Sequence, residues 1–228
     1  MEPFIKRAML PPLPNIVIRT YSPPDVPQIK ALFVSGMHSN MPAFFNLLMF
    51  RSKIGIAFWV TMSLAAAYFG IRSLYILLPA ASLFPLGVGV YLQRMFTYYT
   101  TASCESDLSD IDGVYIKQGG TFFVATCSND PATIVGIVAG EIKENGQLEL
   151  RRMSVSVKHH KRGIGSKLIK ALEEFAKSKG INTIFLTCTS LQYAAHTLYR
   201  RNGFVLMKAK ETEMMSGMKI YFFEKKLM

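Results

Sequence analysis

The residues with the clearest chemical potential lie at 148–168, where a strand is followed by a basic turn and by two glycines that open a helix. The apolar and β-branched residues of 148–157 indicate the strand, and Gly163 and Gly165 stand where the chain must turn tightly. Free N–H groups at a helix start bind anions, and glycine lets a large ligand approach the backbone. The pattern therefore predicts a pyrophosphate site; an ordinary strand-turn-helix connection is the alternative.

Two common phosphate-binding motifs do not fit this turn. A P-loop requires Gly-Lys-Ser or Gly-Lys-Thr, whereas Gly165 is followed first by Ser166 and then by Lys167. A dinucleotide-binding fingerprint requires a third glycine at the position that Leu168 occupies. Both motifs are therefore excluded.

A run of predicted strands leads into this stretch. Residues 121–127 and 133–142 are rich in strand-forming types and flank the turn sequence Ser-Asn-Asp-Pro. Asn145 and Gly146 form the dipeptide that most strongly indicates a short hairpin. The sequence thus predicts three antiparallel strands, and the third is the strand at 148–157.

A strand-helix-strand unit follows from the basic turn. Residues 164–179 carry apolar side chains on one helical face and end at Gly180, and 181–188 is a dense β-rich run. Because such a crossover joins parallel neighbours, this second strand should lie parallel to the one at 148–157. A helix at 191–201 and closing strands at 204–208 and 219–225 complete this half of the chain.

The N-terminal part carries elements of its own. Residues 16–21 indicate a strand, Ser22-Pro-Pro-Asp is a helix start signal, and a second helix is predicted at 41–50. The proline-rich residues 1–14 are predicted to form a flexible tail, and they lack the apolar core of a cleaved signal peptide.

Two apolar runs, 54–71 and 74–92, contain no charged residue and approach the length that crosses a hydrocarbon core. Half of all residues are hydrophobic and the mean hydropathy is +0.23, although the net charge is +11. This combination indicates a membrane segment together with a basic surface. The sequence therefore predicts a transmembrane or re-entrant hairpin at 54–92, with a buried soluble hairpin as the alternative.

The number of membrane passes is open at this stage. Pro79 and Pro85 would kink or break the second run, which also permits a re-entrant hairpin. Both ends of a two-pass hairpin lie on one side of the membrane, whereas Arg72 at the tip would place a positive charge on the far side. The cytoplasmic side is favoured for both ends by the flanking basic residues Arg51, Lys53 and Arg94.

The remaining reactive side chains suggest neither a metal nor a disulfide framework. Cys104, Cys127 and Cys188 are widely spaced without a C-x-x-C pair, and we expect reduced, mostly buried thiols. The acidic run after the hairpin lacks the ligand spacing of a calcium hand, so a solvated helix end is predicted for Asp107, Asp110 and Asp112.

Residues 194–204, AAHTLYRRNGF, resemble the second signature of the GNAT acetyltransferase superfamily. That signature, A-x-x-L-Y-x-x-x-G-F, is matched by Ala195, Leu198, Tyr199, Gly203 and Phe204. The first signature, Arg/Gln-x-x-Gly-x-Gly/Ala after a strand, resembles residues 160–165, with His160 in place of the usual Arg or Gln. The two motifs stand in the expected order, separated by a helix and a strand.

The apolar hairpin inside the domain is similar to that of the camello-like, N-acetyltransferase-eight branch of this superfamily. The resemblance implies an α/β (α+β) fold, with a mixed, mainly antiparallel sheet flanked by helices and interrupted by a transmembrane hairpin. The domain would comprise 15–53 and 95–228, with 54–92 as the hairpin. It also implies an endoplasmic reticulum membrane location and acetylation of cysteine S-conjugates, amino acids or protein lysines.

The resemblance assigns acetyl-CoA to the glycine turn. Backbone N–H groups from Lys161 to Gly165 would bind its pyrophosphate, and the main chain of 153–155 would pair with its pantetheine arm. Lys158 and Lys167 add charge, or instead belong to a solvated or lipid-facing surface. The expected acetyl-CoA-binding residues are Met153, Ser154, Val155, His160, Lys161, Arg162, Gly163, Ile164, Gly165, Ser166 and Gln192.

The resemblance also supplies catalytic roles. The N–H of Val155 would stabilise the oxyanion, and Tyr199 would donate a proton to the departing thiolate because a phenol is protonated at neutral pH. Glu149 is the first candidate for the base that deprotonates the amine; Glu141, His159 or a water chain are the alternatives. No metal is expected to take part.

The sequence thus predicts a membrane-anchored, acetyl-CoA-dependent N-acetyltransferase whose catalytic domain faces the cytoplasm. A catalytically degenerate domain that serves as a membrane-tethered scaffold is the alternative, because of His160. Nucleic acid is not an expected partner, since the basic residues are not interleaved with aromatic ones.

Overall fold

A computed structural model describes residues 15–70, 73–212, 215 and 217–227, which form one seven-stranded sheet with helices on both faces. The strands are β1 (Ile16–Thr20), β2 (Thr121–Cys127), β3 (Asp130–Ile142), β4 (Leu148–Val155), β5 (Thr183–Thr189), β6 (Val205–Glu211) and β7 (Lys219–Lys226). The helices are α1 (Val26–His38), α2 (Met41–Asn46), α3 (Lys53–Phe69), α4 (Leu74–Glu105), α5 (Ile164–Ser178) and α6 (Tyr193–Arg201).

The sheet has the order β1-β2-β3-β4-β5-β7-β6, and all neighbours are antiparallel except β4 and β5. This confirms the predicted antiparallel strands and the parallel strand-helix-strand unit. The parallel pairing is short, with Leu148 opposite Ile184 and Glu149 opposite Phe185. Beyond these pairs β4 and β5 diverge, and a wedge opens between their carboxyl ends.

Each face of the sheet carries its own hydrophobic core. α5 packs on one face because its apolar side chains recur at helical spacing, with Leu168 and Leu172 fully buried. On the other face, α1 and the π-helical turn Asp112–Ile116 bury Phe33 and Tyr115 against the strands. A third cluster joins α2, α4 and the segment before β7. The wedge between β4 and β5 therefore lies among packed elements.

The apolar helices extend away from these cores. α4 is one continuous helix, with Pro79 and Pro85 inside it, and it runs past the predicted end of the hairpin at 92. Its part from Tyr75 to Glu105 is long and apolar enough to cross a membrane, and only 6% of an apolar stretch of 18 residues within it is buried. α3 meets this criterion only together with the preceding helical region, from which it is bent by 52°, so a broken span and a re-entrant loop both fit. The predicted N-terminal tail at 1–14 and the predicted tip at Arg72 lie outside the described residues.

One prediction about this region is wrong. The acidic run was expected to be a solvated helix end, but Asp107 is 7% exposed and forms an ion pair with Arg152 of β4. The chain turns back after α4, and this turn brings Asp107 beneath the sheet, where only a paired carboxylate is tolerated. Asp110 stays exposed and accepts a hydrogen bond from the Gly113 N–H at 2.8 Å.

Candidate active site

A cavity of about 490 Å³ occupies the wedge between β4 and β5. Its floor comes from 149–153 of β4 and 187–189 of β5, and Tyr199 of α6 borders it. α1, α2, α4 and the segment before β7 supply mainly apolar and aromatic walls. The cavity thus joins a polar floor to an apolar wall.

β4 is distorted where it borders this cavity. Ile137 lies opposite Ser154 and Ala139 lies opposite Arg151, so β4 holds one extra residue against Val138. Arg152 takes up the bulge with a φ of 52°, a left-handed conformation that a residue with a long side chain rarely adopts. Such a conformation persists only where surrounding contacts impose it.

The contacts that hold Arg152 are on the face opposite α5. Its guanidinium donates to both carboxylate oxygens of Asp107, at 2.8 and 2.6 Å, and to Ser103 Oγ at 3.0 Å. It also lies 4.9 Å from the centre of the Phe33 ring. Burial by itself would raise the pKa of Asp107, but hydrogen bonds from Arg152 and Tyr115 hold that pKa below its ordinary value. The end of α4 is therefore tied to the bulge in β4.

The backbone of Val155 faces the wedge. Val155 lies opposite Gly136 of β3. The hydrogen bond to β3 at this level comes from the next residue, because Ser156 N–H donates to Val135 O at 2.9 Å. Val155 therefore belongs to a non-hydrogen-bonded pair, and its own N–H and C=O point away from β3. Its C=O accepts a hydrogen bond from His160 Nε2 at 2.9 Å. His160 thus braces the end of β4, and the Val155 N–H points to the wedge.

The glycine turn has the geometry of an anion site at its first glycine. Gly163 precedes α5 with a φ of 77°, and Lys161 has a φ of 60°. The first intrahelical bond runs from Lys167 N–H to Gly163 O at 3.1 Å, so the N–H groups of 164–166 have no earlier carbonyl to bond. Lys158, Lys161, Arg162 and Lys167 form no ion pair with any described carboxylate.

The second glycine and the following serine serve packing. A Cβ at Gly165 would lie 2.8 Å from Leu198 Cδ2, so the missing side chain lets α6 approach the start of α5. Ser166 Oγ accepts a hydrogen bond from Asn202 Nδ2 at 3.0 Å. Gly165 therefore has a packing role, and its expected role in the approach of acetyl-CoA stays a prediction.

Tyr199 and Gln192 lie beside β5. Tyr199 is 7% exposed, its ring contacts Phe204 and Phe223, and burial, with a smaller effect of Cys188, raises its pKa. Its hydroxyl is therefore protonated at neutral pH. Gln192 Oε1 accepts the Thr189 N–H at 3.0 Å, which closes the turn before α6.

The candidate bases occupy different positions. Glu149 borders the cavity, its side chain is 17% exposed, and its Oε2 lies 2.9 Å from Lys143 Nζ. Glu141 pairs with both Lys143 and Arg151 and does not border the cavity. Burial opposes ionisation of Glu141, but these two partners hold its pKa below the ordinary value. His159 lies in the 3₁₀ turn Val157–His159, also away from the cavity.

Sequence reasoning missed two features of this site. Thr189 borders the cavity, and its Oγ1 is buried without a hydrogen-bond partner among the described residues. The pair of Arg152 with Asp107 was also missed, although consecutive arginines at 151 and 152 break the alternation of a strand and could have indicated the bulge. Burial raises the pKa of the bordering Cys188 thiol to about 12, so this residue is no thiolate at neutral pH.

Comparisons with known proteins agree with this geometry. The sequence model of the Acetyltransferase (GNAT) family matches residues 90–204, and the chain belongs to this family. A GNAT-family acetyltransferase of Staphylococcus aureus Mu50 shares the fold with a TM-score of 0.59, at 17% identity over 94% of this chain and 100% of that one. The PaiA N-acetyltransferase of Thermoplasma acidophilum, solved with coenzyme A, has a TM-score of 0.53 at 16% identity, over 93% and 99% of the two chains.

Curated relatives narrow the family to one branch. N-acetyltransferase family 8 member 3 of Rattus norvegicus is 30% identical over 193 residues, which are 82% of each chain. N-acetylaspartate synthetase of Homo sapiens is 29% identical over 92% of this chain and 69% of that one. Within the GNAT family the chain thus falls in the camello-like N-acetyltransferase 8 branch. It is an acetyl-CoA-dependent N-acetyltransferase, and the scaffold alternative gains no support from these relatives.

Proposed function

We propose that the chain is a membrane-anchored enzyme that moves acetyl from acetyl-CoA directly to a primary amine. The observation that carries this proposal is a set of three features at or near the end of β4, of which Tyr199 borders the cavity in the wedge. These are the N–H of Val155, the buried hydroxyl-bearing Tyr199 and the open N-terminus of α5. They are the groups that acyl transfer from a phosphorylated thioester needs.

The donor is held mainly by backbone. The N–H groups from Lys161 to Gly165 bind the pyrophosphate, supported by the dipole of α5 and by the cations around the turn, which pair with no described carboxylate. The main chain of 153–155 binds the pantetheine arm. His160 contributes indirectly by fixing the Val155 carbonyl, which accounts for its presence where the family uses Arg or Gln.

The transfer itself uses three residues. Glu149, directly or through water, takes a proton from the amine, whose nitrogen then bonds to the acetyl carbon. The N–H of Val155 stabilises the negative charge on the acetyl oxygen. The bond from carbon to sulfur breaks as Tyr199 gives its proton to the thiolate, and the products are an acetylated amine and the free thiol of CoA.

The membrane anchor consists of α3 and α4. Their large apolar side chains are exposed, including Ile54, Leu64 and Leu83 at 73, 66 and 66%. This exposure suits lipid, because an apolar surface of this extent has no stable place in water. The exposed cations Arg51, Lys53 and Arg94 suit headgroup contact on the cytoplasmic side, in keeping with an endoplasmic reticulum location.

The acceptor is an amine, and three classes are candidates: cysteine S-conjugates, amino acids and protein lysines. Two arginines border the cavity, but Arg151 pairs with Glu141 and Arg152 with Asp107. Both ion pairs reduce the positive charge that the cavity offers, which weighs against an acidic acceptor of the kind that the name N-acetylaspartate synthetase gives for that relative. The mainly apolar wall favours an acceptor with an apolar group.

The test uses the full-length chain in detergent or lipid, with radiolabelled acetyl-CoA and a panel of these amine classes. We expect calorimetric binding of acetyl-CoA, transfer of label to at least one amine, and release of one thiol for each acetyl group transferred. Absence of both binding and transfer would contradict the proposal. Binding without transfer would support the scaffold alternative.

A further inference from the structure

A second cavity, of about 700 Å³, lies between the apolar helices α3 and α4. Its wall is apolar and aromatic apart from Ser52 and Lys53, near the start of α3. Phe58 of α3 and Phe84 of α4 stack at 4.1 Å on this wall and hold the helices together at that level. Its size is that of a typical ligand pocket, and its lining suits a hydrocarbon chain.

The two cavities adjoin each other. Tyr91 of α4 and Met215 of the segment before β7 border both of them. Both cavities are open to their surroundings, and Tyr91 is 54% exposed, so this side chain is not sealed between them by packing. The cavity between α3 and α4 therefore adjoins the one that contains the active-site floor.

The floor offers a partner for a polar head. Glu149 borders the catalytic cavity, and its Oε2 lies 2.9 Å from Lys143 Nζ, so one primary ammonium group already contacts this carboxyl group. A carboxylate forms strong hydrogen bonds with a charged amine. Glu149 is therefore the side chain of this floor that suits the head of an amine acceptor.

We propose that the acceptor is a membrane-resident amphiphile, a primary amine on a long alkyl chain. The amine lies at Glu149, and its alkyl chain passes Tyr91 and Met215 into the cavity between α3 and α4. This inference rests on the proposed N-acetyltransferase function and adds a fourth acceptor class, the long-chain amines, to the three named there. The enzyme thus takes its acceptor sideways from the bilayer.

The alkyl chain in the cavity between α3 and α4 belongs to the acceptor and not to the acyl donor. The proposed donor site is at the start of α5, whose residues border neither cavity, whereas Tyr91 of α4 and Met215 of the segment before β7 border both. The reaction consumes one acetyl-CoA and one alkylamine. A nitrogen–carbon bond forms, the carbon–sulfur bond breaks, and the amine proton leaves through Glu149.

The experiment measures acetylation of a series of linear alkylamines, from four to sixteen carbons, by the full chain in phosphatidylcholine vesicles. Each methylene that enters an apolar site should raise kcat/KM by at most roughly fourfold. Two glycines of α4 give matched variants, because a Cβ at Gly87 or Gly89 meets nothing within 4 Å. Only Gly87 borders the cavity between α3 and α4.

We expect Gly87→Leu to lower the ratio of kcat/KM for long over short amines at least tenfold, and Gly89→Leu to keep the wild-type ratio. Partition of the amines into vesicles is the same for all three proteins and cancels. Should Gly87→Leu fail to fold, a long amine with a terminal diazirine must label 83–88 of the wild type.

Three results would overturn the inference. If Gly87→Leu leaves the ratio of kcat/KM for long over short amines unchanged, or if the diazirine labels other residues, the alkyl chain does not bind between α3 and α4. Acetylation of short amines would still support the proposed function in that case. If kcat/KM depends on the chain length of the acyl group in a series of acyl-CoA donors, and not on that of the amine, the cavity binds the donor. Failure to acetylate any amine rejects the proposed function and the inference with it.

Discussion

The bulge in β4 should depend on the ion pair between Arg152 and Asp107, and Arg152→Met tests this dependence. The two side chains are only 10 and 9% exposed, so removal of the cation leaves a buried carboxylate that keeps only the Tyr115 hydroxyl and a weak contact with Ser106. Breaking a buried pair on one side costs about 3–5 kcal/mol. Against a domain stability of about 5–15 kcal/mol, this loss is large.

The measurement is a thermal melt of the detergent-solubilised protein, followed by circular dichroism. For a chain of this size each kcal/mol shifts Tm by about 2–4 °C, so Arg152→Met should lower Tm by about 6–20 °C. The matched control is Arg19→Met. Arg19 also binds a carboxylate, Asp25, with two bonds at 2.6 and 2.9 Å, but its side chain is 38% exposed. We expect a loss of about 1 kcal/mol there.

A second variant separates a lost pair from lost packing. Asp107→Leu combined with Arg152→Met removes both charges, and replacement of a buried pair by apolar groups is often close to neutral. The double variant should therefore be more stable than Arg152→Met alone. Equal Tm losses for Arg19→Met and Arg152→Met would refute this account of the bulge. A double variant that is less stable than Arg152→Met alone would refute it as well.

Three further predictions concern the site. Tyr199→Phe should lower kcat by about 10²–10⁴-fold in steady-state assays and leave acetyl-CoA affinity by calorimetry unchanged; unchanged kcat would remove the proton-donor role. Gly165→Ala should lower stability by about 1–3 kcal/mol in thermal melts, since its Cβ would lie 2.8 Å from Leu198 Cδ2. Because the folded-state pKa of Asp107 lies below 3.8, wild type should keep its stability advantage over Asp107→Asn above pH 3.8 and lose it at lower pH; an advantage that persists in acid would count against the pair.

Local patterns explain what the sequence could predict. Asn145 and Gly146 determine a hairpin through their own backbone preferences, and α5 is visible because its apolar face repeats within one element. The glycine turn and the Tyr199 helix are likewise contiguous motifs. Such features need no knowledge of which distant segments meet.

The missed features depend on contacts between distant residues. Asp107 and Arg152 are 45 positions apart, and each alone resembles an ordinary surface charge. The position of Thr189 in the cavity depends on where β5 leaves β4, which no local pattern encodes. The two prolines were expected to kink or break the second apolar run, but α4 continues through both.

The course of α4 links the proposed membrane segment to the candidate active site. Four residues of this helix border the cavity between α3 and α4: Leu83, Phe84, Gly87 and Val88. Tyr91 and Tyr99 border the catalytic cavity, and Ser103 near the end of the helix bonds to Arg152 in the β4 bulge. The GNAT family match begins at residue 90, inside the same helix. A boundary between hairpin and catalytic domain at 92–95 would therefore cut a single rigid element. Since this element reaches from the exposed apolar surface to the strand that carries Val155, the helical hairpin that we propose as the anchor also forms part of the candidate active site.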